Sequence, residues 1–540
     1  MKSEVLKWFG IMVVIAGVVF GMVTAGNYLF DPVNRKAWVK PGIAQEEIPP
    51  GIDTAVAFSN VTVIPMDSDR VLVGQTVVIE DSRITDIGTS GSIEIPIGTH
   101  VVDGEGRFLI PGLSDMMTHT SGSENDLLVY LATGITTIRI MGNDPPDVLE
   151  WRDQIGAGTR AGPNMWVWWP QIQNNTVWPE EKYESATRGG KTWVHTVEEA
   201  KQYVAELAVL GVDGIKAHVV FSQDIYTALV ESAAEQGLPF DGHAPDNLVQ
   251  RWLTSPTVSQ DISGFWNEFR TLEVPALAHI EELIKMVSFS DVTTRQASDD
   301  SINQIAQDVA HDGMWISTTV HPFTTWGNIA ADQDGVLAAT AEIKYLHPDV
   351  IYTWGYHGTT YVNLGSSPYH ANYVDAQEKM LLALNNNGVL LLSGTDAVVP
   401  MMVPGFSLHD ELETMADIGL SPYEVLKTST YNPALYLGEL AEFGTIEEGK
   451  RADLVLLERN PLDDITNTRQ VAGTMVRGRW YSRADLETML EKVAEDYEGV
   501  KTTQLILKIA FCTVVGLLLA VASLFIVRRR RHLRFWRRIR

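Results

Sequence analysis

From residue 55 to about residue 110, apolar and polar positions alternate in short runs: AVAFSNVTVI, TVVIEDSRITDIG and THVVDGEGRFLI, broken at Gly and Asp. A period of two with turn residues at the breaks predicts half-buried strands and a small β unit. After Pro111 the texture changes to short, continuous apolar runs separated by amphipathic helical stretches such as VEEAKQYVAELAVLG and DIYTALVESAAEQG. The candidate strands are Leu113 to Met117, Thr136 to Met141, Met165 to Trp169, Gly214 to His218, Pro239 to His243, Pro275 to His279, Met314 to Val320 and Val389 to Thr395. Eight strands alternating with helices predict an α/β architecture, a closed parallel (β/α)8 TIM barrel over residues 111–435. In such a barrel, function collects at the C-terminal ends of the strands. Beyond it, SPYEVLKTSTYNPALYLG reads as a helix pair, and FGTIEEGKRADLVLLERN with AGTMVRGRWYS returns to short strands. Residues 55–110 and 436–483 are therefore expected to form one small β-sandwich from both flanks of the barrel.

Two apolar runs change this picture at the ends. Residues 8–30 hold 23 positions without a charge, and 19 more lie between Lys508 and Arg528, close to the ~20 that a membrane-crossing helix needs. The expectation is a transmembrane helix at each end, residues 8–30 and 505–527. A Pro-rich linker (31–54), a helical linker (484–504) and a basic tail (528–540) complete the chain. For the first run a cleaved signal peptide stands as the alternative, since Lys2 and Lys7 precede it and Val23-Thr24-Ala25 resembles a cleavage site. The eight arginines of the tail predict a cytoplasmic tail, which sends the main domain outside, to the periplasm or beyond the cell. An uncleaved first helix places both termini in the cytoplasm.

Charge narrows the partners. The formal net charge is −27, and setting aside the ten net positive charges of residues 1–7, Lys508 and the tail leaves −37 on residues 8–507. So acidic a surface excludes nucleic acid as a partner of the main domain. The single cysteine, Cys512, excludes an intrachain disulfide.

Candidate chemistry sits at the strand ends. His119, Lys216, His243, His279 and Asp396 each end or follow a different strand, the first, fourth, fifth, sixth and eighth. Five potential ligands from five strands imply one shared site, with a divalent metal as the expected cofactor. His218 lies two residues beyond Lys216 on the same face of its strand, and His321 follows strand seven; both are candidate substrate-pocket residues. Trp166, Trp168 and Trp169 cluster at strand three, and Trp326, Trp354, Tyr356 and Tyr361 lie in the long insertion after strand seven. Rings so placed suit an apolar or cyclic substrate or the packing of a lid. His409, on a predicted helix after strand eight, reads as structural.

These residues, within IPGLSDMMTHT, LATGITTIRIMGN, GVDGIKAH, LPFDGHAPD, ALAHIEEL, LLLSGTDA, FSLHDELETM and the closing NPALYLG with FGTIEEGKRADLVLL, resemble the amidohydrolase superfamily. The likeness is to its imidazolonepropionase-like and Xaa-Pro dipeptidase-like branch and spans roughly residues 55–483. The resemblance implies a metal-dependent hydrolase acting on a C–N bond of a small molecule or short peptide. Its paired strand-one histidines fall on Met117 and His119, its bridging carboxylated lysine on Lys216, its next histidines on His243 and His279, and its aspartate, the general base, on Asp396. The first histidine is thus replaced by Met117. A thioether is too soft a donor for Zn²⁺, so one tightly bound ion, zinc by expectation, is favoured over two. A barrel that has lost catalysis and serves as a membrane-tethered scaffold is the alternative that Met117 raises.

Overall fold

The computed structural model describes residues 42–174, 191–220, 222–249, 253 and 255–538. The first apolar run, 8–30, lies outside the described residues, as does the side chain of Tyr356.

Eight short parallel strands, numbered here around the barrel, form the centre: β1 (Leu113–Thr118), β2 (Ile135–Ile140), β3 (Asn164–Val167), β4 (Ile215–Val220), β5 (Phe240–Gly242), β6 (Ala276–Leu277), β7 (Trp315–Ser317) and β8 (Leu391–Leu392). Every residue of β1 and β2 is buried. A barrel strand is covered by side chains inside and helices outside, so its sequence shows a continuous apolar run. Ladders join β1 to β2 to β3, β4 to β5, and β6 to β7 to β8. Between β3 and β4 run the Asp213 N–H to Val167 O bond and a parallel pairing of β4 with Gln171–Asn174, just past β3; Ala278 N–H donates to Gly242 O, and Met116 N–H to Ser393 O with the N–H groups of Thr395 and Asp396 to Met117 O close β8 on β1. The outer helices begin and end where their sequences signal it. Thr196 accepts from the Glu199 N–H to start Val197–Leu210, and Gly211 ends it in the left-handed conformation. Between β7 and β8 the insertion folds into the helices His321–Ala339, Pro348–Gly365 and His370–Asn386.

Strands from both flanks share one eight-stranded sheet. Leu454–Leu457 pairs antiparallel with Phe108–Pro111, the strand that runs directly into β1. The apolar faces of Val56–Val63, Leu72–Glu80 and Val471–Val476 enclose Phe58, whose ring meets Trp480 edge-on at 5.0 Å. The sheet thus sits at the N-terminal end of the barrel, away from the candidate ligands.

The expected helical linker, apolar run and start of the basic tail are one continuous helix, Arg483–Arg538. Leu486, Met489, Val493 and Tyr497, spaced at the helical repeat, are buried against Leu128, Leu131 and Ile48. From Leu505 to Val527 most of the described large apolar side chains are exposed. Among the described residues this is the one helix long and apolar enough to cross a membrane.

His409 lies within helix Phe406–Ile418, tied on both ring nitrogens: Nε2 donates to Thr133 O at 3.0 Å and Nδ1 lies 2.9 Å from Thr468 Oγ1. Burial keeps the ring neutral, with its pKa lowered to about 4. Unfolding therefore takes up a proton between the ordinary histidine pKa and that value. This contribution to stability is present in full above about pH 6.5 and lost as pH falls toward 4, roughly 3 kcal/mol in all. In urea titrations from pH 7 to pH 4, His409→Gln is expected to lose stability less steeply than the native chain; parallel profiles would refute this.

Candidate active site

The structure groups all five candidate ligands around Asp396, four of them from C-terminal strand ends and Lys216, expected at the end of strand four, from near the start of β4. His119 follows β1 and presents Nε2 to Asp396 Oδ1 at 3.4 Å. His243 follows β5, and its ring stands 5.0 Å from that of His279, which follows β6. Lys216, second residue of β4, is fully buried, with Nζ 3.8 Å from Met117 Sδ. Two glycines set the approach of the strands. A Cβ on Gly242 (φ +156°) would meet Ala217 O at 2.1 Å, and one on Gly394 would meet Met117 Cβ at 2.4 Å. Asp396 itself takes φ +53°, and Thr319 takes +45°. Left-handed backbone at a β-branched threonine is strained, and both residues touch site histidines.

A ring of partners fixes each imidazole through Nδ1. For His119 they are Gly142 O and Asp144 Oδ2, the latter at 3.2 Å. His243 Nδ1 meets Glu282 Oε1 at 3.0 Å, while Glu282 also pairs with Lys285 at 2.8 Å. His279 Nδ1 lies 2.8 Å from Thr319 Oγ1. Nε2 is thereby left for chemistry on His243 and His279, the arrangement by which outer partners orient metal-binding histidines, while His119 Nε2 faces Asp396. None of Asp144, Glu282 and Thr319 is singled out by the sequence reading, although MGND and HIEEL carry the first two.

The two candidate pocket histidines separate. The His218 ring lies 4.5 Å from that of His243, with Gln173 Nε2 3.3 Å from its Nδ1, so it joins the group. His321 faces helix Phe406–Ile418 instead: its Nδ1 lies 2.9 Å from Thr414 Oγ1 and its backbone N–H donates to Glu411 at 2.8 Å. It opens helix His321–Ala339, and among the described residues no hydrogen bond or ion pair links its ring to the other candidate residues. The aromatic residues divide likewise. Trp168 is core, over Arg139, whereas Trp169 Nε1 donates to Asp144 O, Trp354 Nε1 to Val398 O, and Tyr361 packs on Trp326.

Beneath the site lies an unpredicted ion pair. Arg139 of β2 and Asp241 of β5 are both fully buried and meet at 2.6 Å. Burial lowers Lys216 to about 8, against the attraction of Asp241 and Asp396. Burial also opposes a charged His119, yet Asp144 and Asp396 raise it to about 9. For Asp396 burial raises the pKa, but the His119 hydrogen bond and the charges of His279, His119 and Lys216 bring it below the ordinary value.

Among the described residues, no three His, Cys, Asp or Glu side chains stand together at ligating distances. The donor chemistry nevertheless fits one divalent cation: two imidazoles with Nδ1 tethered, a carboxylate, and a lysine whose lowered pKa suits it to carbamate formation. It does not fit a second on the β1 side, where Met117 offers only a thioether and sits in an apolar cluster with Met141, Trp168 and Ala278.

Residues 267–481 match the family model described as the amidohydrolase family. The match takes in strands β6 to β8 and the strands that follow the barrel, less than half of the chain. Ochratoxinase of Aspergillus niger is 38% identical over 80 residues, which is 14% of this chain and 16% of that protein's length. Among solved structures, a putative prolidase from Bifidobacterium longum superposes with a TM-score of 0.58 at 23% identity, covering 82% of this chain and 99% of that one. A Xaa-Pro dipeptidase with methionine bound in its active site does so with 0.60 at 18% identity, covering 79% and 100%. At these identities the likeness speaks for the fold alone, a TIM-barrel-like α/β architecture.

Proposed function

We propose that this chain is a membrane-anchored hydrolase that cleaves a C–N bond, amide, peptide or cyclic amide, outside the cytoplasm. The observation that carries the reading is the set of Nδ1-tethered histidines, His119, His243 and His279, gathered with Asp396 at the barrel mouth. His243, His279, Asp396 and a carboxylated Lys216 are the residues to hold one divalent cation, which supplies polarisation of the scissile carbonyl and a more acidic water. Asp396 takes the proton of the attacking water and returns it to the leaving nitrogen. His119, held by Asp144 and Gly142, keeps that carboxylate oriented. His218 lines the substrate side beside His243. Anchoring rests on the exposed apolar helix after Leu505, and the outward placement of the domain rests on the arginines that follow it.

The rival, a catalytically degenerate barrel acting as a tethered scaffold, is favoured by the contact of Lys216 with Met117 in place of a hard donor. Metal content separates the two when measured with hydrolysis of acyl-proline dipeptides, N-acyl amino acids, cyclic amides and esters. The expected result is close to one tight ion per chain, activity abolished by chelation, and a rise toward two ions in Met117→His. Two tight ions in the native chain would defeat the one-metal reading, and no ion under any condition would install the scaffold.

A further inference from the structure

The contacts of the C-terminal helix, taken in order, trace a path up the side of the barrel. It starts at the sheet, where Ser482 caps it through Asp485. Lys492 then meets Glu47 at 3.6 Å, Asn125 Nδ2 donates to Asp496 at 2.9 Å, and Tyr497 lies 3.1 Å from Ser123 Oγ. Ser123 and Asn125 belong to the segment that leaves β1 just after His119. Tyr497 also meets the ring of His347 at 5.4 Å, and Gln504 Nε2 donates to Asp349 Oδ1 at 3.0 Å. Asp349 opens helix Pro348–Gly365, the same helix whose Trp354 rests on Val398, two residues past Asp396. From Arg483 to Gln504 the helix rises about 32 Å at 1.5 Å per residue. It thus starts at the N-terminal end of the barrel and passes the catalytic end before its exposed apolar part begins at Leu505.

A rigid helix leaving the domain at its catalytic end sets how the domain stands on a membrane. The first apolar residue follows directly on the contact between Gln504 and Asp349, and Tyr352, one turn further along that helix, is 52% exposed. An exposed tyrosine at this level suits the headgroup region, where aromatic rings with a polar tip concentrate. Further along the same helix, Tyr361 packs against Trp326 and is within electrostatic reach of Asp396 and Glu281. The sheet, with Ile97 and Val73 exposed on its strands and loops, points the other way.

We infer that the barrel mouth faces the bilayer surface, and that the substrate is a lipid-borne amide whose long acyl chain stays in the membrane while its C–N bond enters past Tyr352 and Tyr361. The substrate class rests on the hydrolase reading above; the orientation rests only on the helix as a membrane span.

The test uses the full chain, with Cys512→Ser and a single new cysteine, Tyr352→Cys or Ile97→Cys, labelled with a fluorophore. Each variant is reconstituted in phosphatidylcholine vesicles carrying nitroxide headgroups. Quenching several-fold stronger at position 352 than at 97 is expected; equal quenching, the reverse order, or none at either position overturns the orientation. A second arm compares N-hexadecanoyl and N-acetyl forms of one amino acid in the same vesicles. Seven helix-forming residues inserted between Gln504 and Leu505 lift the domain about 10 Å and keep the Asp349 contact. The insertion is expected to remove the preference for the long chain and leave hydrolysis of the acetyl form unchanged. An intact long-chain preference overturns the substrate class. If the native chain cleaves neither form, the substrate class falls with the hydrolase reading, and the quenching arm still decides the orientation.

Discussion

Asp396→Asn is expected to lower kcat/KM for amide hydrolysis by about 10³-fold while leaving the fold intact. A positioned general base contributes roughly 10²–10⁴ in rate, and asparagine keeps the size of the side chain but takes no proton. The backbone also favours this variant as a probe. Asp396 sits at φ +53°, a region that asparagine tolerates better than most residues. Its N–H donates to Met117 O at 2.7 Å whatever the side chain. The hydrogen bond to His119 Nε2 can persist through the amide oxygen. Loss of activity with an unchanged thermal midpoint would assign Asp396 to chemistry. A variant within threefold of the native kcat/KM would remove it from the mechanism.

The barrel was legible because most strands are short apolar runs closed by Gly, Asp or His, and a strand buried on both faces leaves that mark in any order of residues. Candidate ligands were legible for a related reason: an ionisable residue directly after such a run, as with His243 and His279, stands at a strand end. What lies around the candidate ligands was hidden. Glu282 and Asp144 look like ordinary acidic residues of a helix and a loop, and only their three-dimensional partners, His243 and His119, reveal their part. His321 shows the opposite failure. It too follows a strand, but the helix it opens turns its ring toward Thr414, and sequence position alone does not distinguish the two directions. The continuity of Arg483–Arg538 was obscured because its amphipathic docked half and its uniformly apolar half have different periodicities, although one helix carries both.

Arg139 gives the largest expected loss of stability. Its guanidinium is fully buried, with Nη1 2.6 Å from Asp241, Nη2 donating to Ser317 Oγ at 3.1 Å and Nε donating to Met116 O at 2.5 Å. It also lies 5.2 Å from the Trp168 ring and 5.0 Å from that of Tyr436. One side chain therefore ties β2 to β1, β5 and β7 across the barrel interior. Arg139→Met removes the cation and leaves Asp241 buried beside a thioether, and breaking a buried pair from one side costs about 3–5 kcal/mol. Asp241→Asn should destabilise by a similar amount, through an unpaired arginine. The double variant leaves no uncompensated charge and is expected to recover a good part of the loss, so the two changes will be far from additive. Urea midpoints of the four proteins measure this directly. A double variant as unstable as the sum of the singles would mean that the pair is not the unit of stability, and that the contacts of Arg139 with Met116 O and Ser317 hold the strands instead.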